Sequence, residues 1–427
     1  MKKFSLRRYL HQQVRNLFSL LPRPIRFRVF RSMVDCDPAP DPRLTFKIAD
    51  TKEELEACFR ILHDAYVGSG FMKPDPSGMR VTIYHALPTT TTLCAKWDGQ
   101  VVGTVSIIRE GVFGFPLQSA FDLAPVREKE GSIAEISALA VHPSFRKTGG
   151  IVLFPMMKYL YEYCVKYFDT RHMVIAVNPD RIDLYESLLA FRRLQAQVVD
   201  RYDFANGAPA VGATLDLHYF PEALDRTFGG KPVRKNLHEF FIRLCLPNFA
   251  IPRRRYHTTN DPVMTPELLD HFFNRATHVF ATLDERKKRL LHSIYHEREY
   301  QRVLPPLVIN GRLPHPLRQH QRFSLKCPGL FEVRGSDGRP VGLQVIEVSL
   351  QGFKARADRP IALQETGVAK IELGSEERSM FDAQAVRVET SEVASFYGFR
   401  IVAPDAAWRR CVLALEHGQT HVDLAAA

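Results

Sequence analysis

Between residues 44 and 217, short apolar runs of strand length alternate with longer stretches of helical period. Residues 44–49 read as a strand. Residues 51–67 read as a helix opened by Thr51, with acids in its first turn. Residues 68–88 are loop-rich. Residues 91–97 and 101–108 then read as strands, joined by the hairpin signal Asp98-Gly99. Residues 133–141 are a further strand candidate, and Gly149-Gly150 leads into an apolar helical stretch at 151–167. A strand at 172–177 and a helix at 180–190 follow. Residues 198–204 and 213–217 are expected to form a hairpin around Asn206-Gly207. This order predicts a mixed α/β domain, a sheet with flanking helices, over residues 40–217.

The pattern changes at residue 218. Pro247, Pro252 and the triplet Arg253, Arg254 and Arg255 read as linker, with the arginines solvated. Thr265-Pro266-Glu267 has the form of a helix start, with a capping hydroxyl, proline at the first turn and an early acid. Leu268, Leu269, Phe272, Phe273, Ala276, Val279 and Phe280 continue it as an apolar stripe. Residues 218–305 are therefore expected to be a helical connector. From 306 to 427, strand-length segments separated by Gly and Asp signal an all-β module. One helix closes it at 404–415, with Pro404-Asp405 in its first turn. With 427 residues, a multidomain chain is the natural expectation.

Charge alters this picture at one end only. Residues 1–34 hold nine cations (Lys2, Lys3, Arg7, Arg8, Arg15, Arg23, Arg26, Arg28 and Arg31) and no acid, so most of the net charge of +11 lies there. Val14, Leu17, Phe18 and Leu21 lie between them at helical spacing. Residues 1–39 thus read as a basic amphipathic arm, and residues 1–34 as a candidate for peripheral contact with anionic lipid on the inner membrane surface. The rest is nearly neutral and has no basic-aromatic platform, so no nucleic-acid partner is expected. The seven cysteines include no Cys-x-x-Cys pair and their number is odd. That fits reduced thiols in a cytoplasmic protein. His292 and His296 share a helix face without an evident third ligand, so no metal site is expected.

Two constellations carry candidate chemistry. Glu135-Ile-Ser137-Ala-Leu-Ala140-Val141 is followed by Arg146-Lys-Thr-Gly149-Gly150. A strand ending in a loop of free backbone N–H groups, which then opens a helix, suits a pyrophosphate. The segment resembles the acyl-CoA motif of GNAT acyltransferases. Downstream, residues 178–191, from Asn178 through Tyr185 to Phe191, look like that superfamily's second segment. The resemblance implies cofactor contacts at Leu139, Val141, Arg146, Lys147, Gly149, Gly150 and Asn178. It also implies a catalytic Tyr185 near the donor sulfur.

Glu135-x-Ser137, with the stretch from Gly103 to Pro116, more closely resembles the long-chain N-acyl amino acid synthases and the acyl-homoserine-lactone synthases. In that branch the acyl group comes from acyl carrier protein or CoA. Glu135 would then lie where it can bind or deprotonate an amine, as amine attack on a thioester requires. The chain departs from the pattern at Ala138, Ile151, Pro155 and Ala190. An acetyl-CoA-dependent acetyltransferase and a non-catalytic adaptor are the other readings of this half.

The second constellation is Arg318-Gln-His-Gln-Arg322, followed by Glu347-Val-Ser349-Leu-Gln-Gly352. A guanidinium can bind a phosphate or the O6/N7 edge of guanine as a planar fork. These residues resemble the cyclic di-GMP signature of PilZ domains. The resemblance implies a six-stranded barrel that binds the nucleotide through Arg318, Arg322, Glu347, Ser349 and Gly352.

Overall fold

A computed structural model describes residues 21–146, 148–261, 263–295, 298–307, 322–335, 338–374, 376–390 and 395–417. Helix α1 (Arg23–Ser32) comes first. It is followed by β1 (Leu44–Ile48), α2 (Lys52–Gly68), β2 (Thr90–Trp97), β3 (Gln100–Arg109) and β4 (Ser132–Val141). Next come α3 (Leu153–Tyr167), β5 (Thr170–Val177), α4 (Ile182–Leu189), β6 (Arg192–Arg193), β7 (Val199–Tyr202), β8 (Ala208–Asp216) and α5 (Phe220–Phe228).

The sheet runs β1-β2-β3-β4-β5-β8-β6, with β7 added to β8. Among these described strands, only β4 and β5 pair in parallel. Its turns follow local chemistry. Asp98 and Gly99 both take positive φ and close β2 onto β3, and Asn206 and Gly207 do the same between β7 and β8. β8 starts directly after that turn, earlier than the expected 213, because its apolar residues keep pairing with β5 up to Val211. Thr51 caps α2 by accepting from Glu54 N at 3.2 Å.

The connector is helical and packs into the α/β half. Asn248 to Ala250 adds to the free edge of β1, with Phe46 N donating to Asn248 O and Ala250 N to Phe46 O, both at 2.9 Å. Thr265 caps its helix as expected, but the helix Pro266–Leu269 widens into a π-helical stretch, Asp270–Ala276. Phe272 from that stretch meets Phe59 of α2 edge-on at 5.1 Å. The linker reading of the arginine triplet is overturned at Arg254. Its guanidinium is buried and pairs with buried Asp261 at 2.5 Å, and Asp261 also accepts from Tyr163 and Thr91. Helix α6 (Glu285–His292) ends at a histidine whose two ring nitrogens already face Gln301 and the Pro305 carbonyl. His296 lies outside the described residues. Among those described, no group of three or more His, Cys, Asp or Glu is placed to hold a metal.

The C-terminal module is a closed six-stranded antiparallel barrel. Its strands are β9 (Phe323–Val333), β10 (Val341–Ser349), β11 (Gly352–Ala357), β12 (Thr366–Glu372), β13 (Arg378–Thr390) and β14 (Ser395–Ile401). They close in the order β10-β11-β14-β13-β12-β9. Phe353, Phe399 and Phe381 fill it, and Trp408 of helix α7 (Ala406–Glu416) plugs one end. The helix starts two residues later than expected. Asp405 is its cap, accepting from Trp408 N at 2.7 Å, and Pro404 lies before it. All seven cysteines are free thiols. No helix among the described residues is long and apolar enough to cross a membrane.

Candidate functional site

Strands β4 and β5 pair from Ser132 with Thr170 to Glu135 with Val174, and then part. Two causes are visible. Ala138 takes a left-handed φ of 57°, which puts a bulge in β4 opposite β3 between Thr104 and Ser106. β5 meanwhile stays with β8 as far as Val177. The parting leaves a cleft of about 200 Å³. Met157, Leu160, Met173 and Phe191 give it an apolar floor, and Glu135, Asn178 and Tyr185 bring polar groups to its wall. Past Glu135, the edge of β4 that faces β5 has no ladder partner there. Backbone donors are therefore available to the oxygen of a bound ligand.

Glu135 is 1% exposed. One carboxylate oxygen accepts from Leu117 N at 2.9 Å. Desolvation outweighs that bond and pushes its pKa up to about 8. Tyr84 responds in turn, raised to about 12 by burial and then by the nearby Glu135 charge. Tyr185 stands edge-on to Phe191 at 5.8 Å, and burial raises its pKa, so the phenol stays protonated. Asn178 closes a turn by accepting from Asp180 N at 2.9 Å.

The other residues expected at a cofactor sit at the far end of β4. Leu139 and Val141 are on the strand itself, after the bulge. Arg146 folds back so that its Nε donates to Val141 O at 2.7 Å. Gly149 and Gly150 take φ of 69° and 89°, a path that favours glycine. They deliver the chain to α3, which no side chain caps. Pro155 is third in that helix, between Phe154 N, which donates to Gly150 O at 3.0 Å, and Met156 N, which donates to Val152 O at 3.1 Å. Lys147 lies outside the described residues.

On the barrel, the Arg322 guanidinium pairs with Glu347 at 2.5 Å. Ser349 Oγ donates to Gly352 O at 3.0 Å across the β10–β11 turn. Trp408 Nε1 donates to Ser349 O at 3.0 Å, so the turn is anchored to α7. A Cβ on Gly352 would meet the Phe399 carbonyl oxygen at 2.6 Å, so barrel closure itself calls for glycine there. Arg318 lies outside the described residues.

Sequence reasoning missed what lies beside this site. Ser324 and Lys326 follow Arg322 on the outer face of β9, and Lys354 and Arg356 share the outer face of β11. Lys326 forms an ion pair with Asp169, and Arg356 pairs with Glu130 at 3.4 Å. Asp169 immediately precedes β5, and Glu130 lies two residues before β4. Ser132 Oγ donates to Asp169 O at 2.6 Å and His172 Nε2 to Glu130 O at 3.0 Å, which ties the two strand heads together. The barrel thus holds the roots of the two strands that part around Glu135.

Residues 57–216 match the family model described as N-acyl amino acid synthase FeeM. That match lies within the α/β half. Its solved neighbours include the structure of FeeM from uncultured soil microbes, at 22% identity over 43% of this chain and 95% of that one, with a TM-score of 0.36. Another is the CoA-dependent acyl-homoserine lactone synthase BjaI with SAM and isopentyl-CoA, at 20% identity over 45% and 90%, with a TM-score of 0.33. Other solved neighbours match the barrel side. A neighbour on that side is the PilZ domain of YcgR from Escherichia coli with c-di-GMP, at 16% identity over 24% and 94%, with a TM-score of 0.21. No curated protein matches the chain.

Proposed function

We propose that this chain moves a thioester-bound, long-chain acyl group from acyl carrier protein or CoA onto an amine such as an amino acid, and that cyclic di-GMP on the barrel tunes the transfer. The observation that carries the first part is Glu135, a buried carboxyl with pKa about 8 at the point where β4 and β5 part. An ammonium cannot attack a carbonyl. Glu135 takes its proton, and the amine nitrogen then bonds to the thioester carbon. The C–S bond breaks, the sulfur leaves with a proton from the Tyr185 phenol, and the second proton of the attacking nitrogen, lost as the amide forms, restores that phenol. A base with a pKa near the operating pH is suited to this work. The donor's pyrophosphate or phosphopantetheine phosphate would lie at Arg146, Lys147, Gly149 and Gly150, with Leu139, Val141 and Asn178 along its arm.

The tuning rests on placement. A side chain two residues along a strand face is ~7 Å away. Arg322 is therefore two such steps from Lys326, and Gly352 two such steps from Arg356, the cations that hold the heads of β4 and β5. A ligand shifts the balance between two arrangements only if it binds them differently. Recruiting Arg322 away from Glu347 would be such a difference, because it alters the charge next to those ion pairs. The linkage runs directly from barrel to strand roots, so the connector need not transmit it.

The cleft volume of about 200 Å³ favours a second reading, transfer of a short acyl group such as acetyl. Incubation with long-chain acyl carrier protein, long-chain acyl-CoA and acetyl-CoA, each with a pool of amino acids, separates the two by mass spectrometry of the amide formed. A long-chain amide supports the first reading and turnover of acetyl-CoA alone removes it. Thioester binding with no amide from any donor removes both.

A further inference from the structure

We propose that the outward face of α1 is a docking surface for an anionic lipid bilayer. The roll of this helix is fixed from its other side. Arg26 pairs with Asp183 at 2.7 Å, Arg31 Nε donates to Ser187 O at 3.1 Å, and Arg23 pairs with Glu186. Phe27 and Phe30 turn partly inward with them. That roll leaves Leu21, Ile25, Val29 and Met33 outside, four residues apart and therefore on one slowly winding stripe. Each is more than a third exposed, Ile25 at 46% and Met33 at 70%. A helix that only covered the domain would turn such residues inward.

The charge around the stripe identifies its partner. Arg28 is exposed on the same side of α1. Lys235 Nζ donates to Ser32 O at 3.0 Å, which holds the turn at 233–235 against the helix end and brings exposed Val233 with it. The acids nearby, Asp35 and Asp37, are already taken by Arg234. Beside α1 a groove of about 780 Å³ is walled by Arg23, Arg31, Lys129, Arg171, Arg192, Arg193 and Arg226 against Glu186 and Asp216. The twenty residues before Leu21 add five cations and no acid. A nucleic acid would satisfy the charge but gives Ile25 and Met33 no apolar surface to enter. A bilayer with anionic headgroups satisfies both.

One consequence rests on the acyltransferase reading, though the docking does not. Phe191 lines both the acyl cleft and this groove. An acylated amine is an amphiphile, and it would be released beside the lipid that accepts it.

Co-sedimentation of the full chain with phosphatidylcholine vesicles, with and without phosphatidylglycerol, tests the docking. Binding is expected on the anionic vesicles and should weaken with salt. Ile25→Asp with Val29→Asp should lower it roughly tenfold or more, and Arg28→Glu should lower it less. Acyl transfer between soluble substrates should be unchanged in both. An environment-sensitive dye on Ile25→Cys should shift to the blue with anionic vesicles, a readout that requires no disruptive variant. Equal binding by the double variant, equal binding to neutral vesicles, or an unshifted dye would overturn the proposal. A dimer lost in the double variant, without vesicle binding, would instead assign the stripe to a second copy of the chain.

Discussion

The carboxylate of Glu135 takes a hydrogen bond from the backbone N–H of Leu117 at 2.9 Å, at the wall that Glu135 gives to the cleft between β4 and β5. Leu117 sits on the loop between β3 and β4, so the acid is held from outside its own strand. One backbone bond offsets little of the cost of a buried charge, and its pKa accordingly rises.

That rise predicts a pH profile. Only ionised Glu135 accepts a proton, so kcat/KM should climb with pH and flatten above about 8. Glu135→Gln should lose the climb and fall roughly 10²–10⁴-fold. Initial rates of amide formation across pH check both.

The same group predicts a stability difference. Its folded pKa of about 8 lies above the ordinary 4.5, so the folded state keeps a proton that the unfolded state gives up. The wild type is therefore at full stability below about 4.5 and loses this contribution as pH rises to about 8. Glu135→Gln has no proton to lose. Urea melts should show the variant gaining on the wild type across that window, with a constant difference outside it.

Much of the fold was legible in the sequence, because local signals and tertiary structure agree. Asp98-Gly99, the Thr51 cap and the Gly149-Gly150 approach to α3 appear where the residues imply. The missing parts depend on distant partners. An alanine carries no mark of a left-handed bulge, yet Ala138 is what helps to part the strands. The stripe at 268–280 reads equally as α or π, and the need to seat Phe272 on Phe59 favours the wider turn. Arg254 looked like linker because Asp261 and Tyr163 reach it only after folding. Glu135, Tyr185 and Asn178, which the motif singles out, line one cleft. Lys326 and Arg356 carry no motif and were invisible.

The buried pair has a testable cost. Removing one partner of a buried ion pair typically costs ~3–5 kcal/mol, because the other charge is stranded. Asp261→Asn should therefore lower Tm sharply, while Arg253→Ala should hardly change it. Thermal melts of the two variants decide this.

Nucleotide binding should depend on Arg322. A charge-assisted hydrogen bond contributes ~1.5–3 kcal/mol. Arg322→Ala should weaken cyclic di-GMP about tenfold or more by isothermal titration, and an unchanged curve for the double variant with Arg318→Ala would reject the site.

The strand-root contacts can be separated from binding. Exposed ion pairs contribute only ~0–1 kcal/mol each, so Lys326→Glu with Arg356→Glu should leave both halves folded. Isothermal titration should still show the nucleotide bound, while its effect on amide formation disappears.

Amide formation from a long-chain thioester, followed by mass spectrometry with and without saturating cyclic di-GMP, probes the whole account in one assay. The account predicts an amide whose rate changes with the nucleotide in the wild type and falls roughly 10²–10⁴-fold in Glu135→Gln. Amide formed equally well by Glu135→Gln, or a wild-type rate indifferent to bound nucleotide, would contradict it.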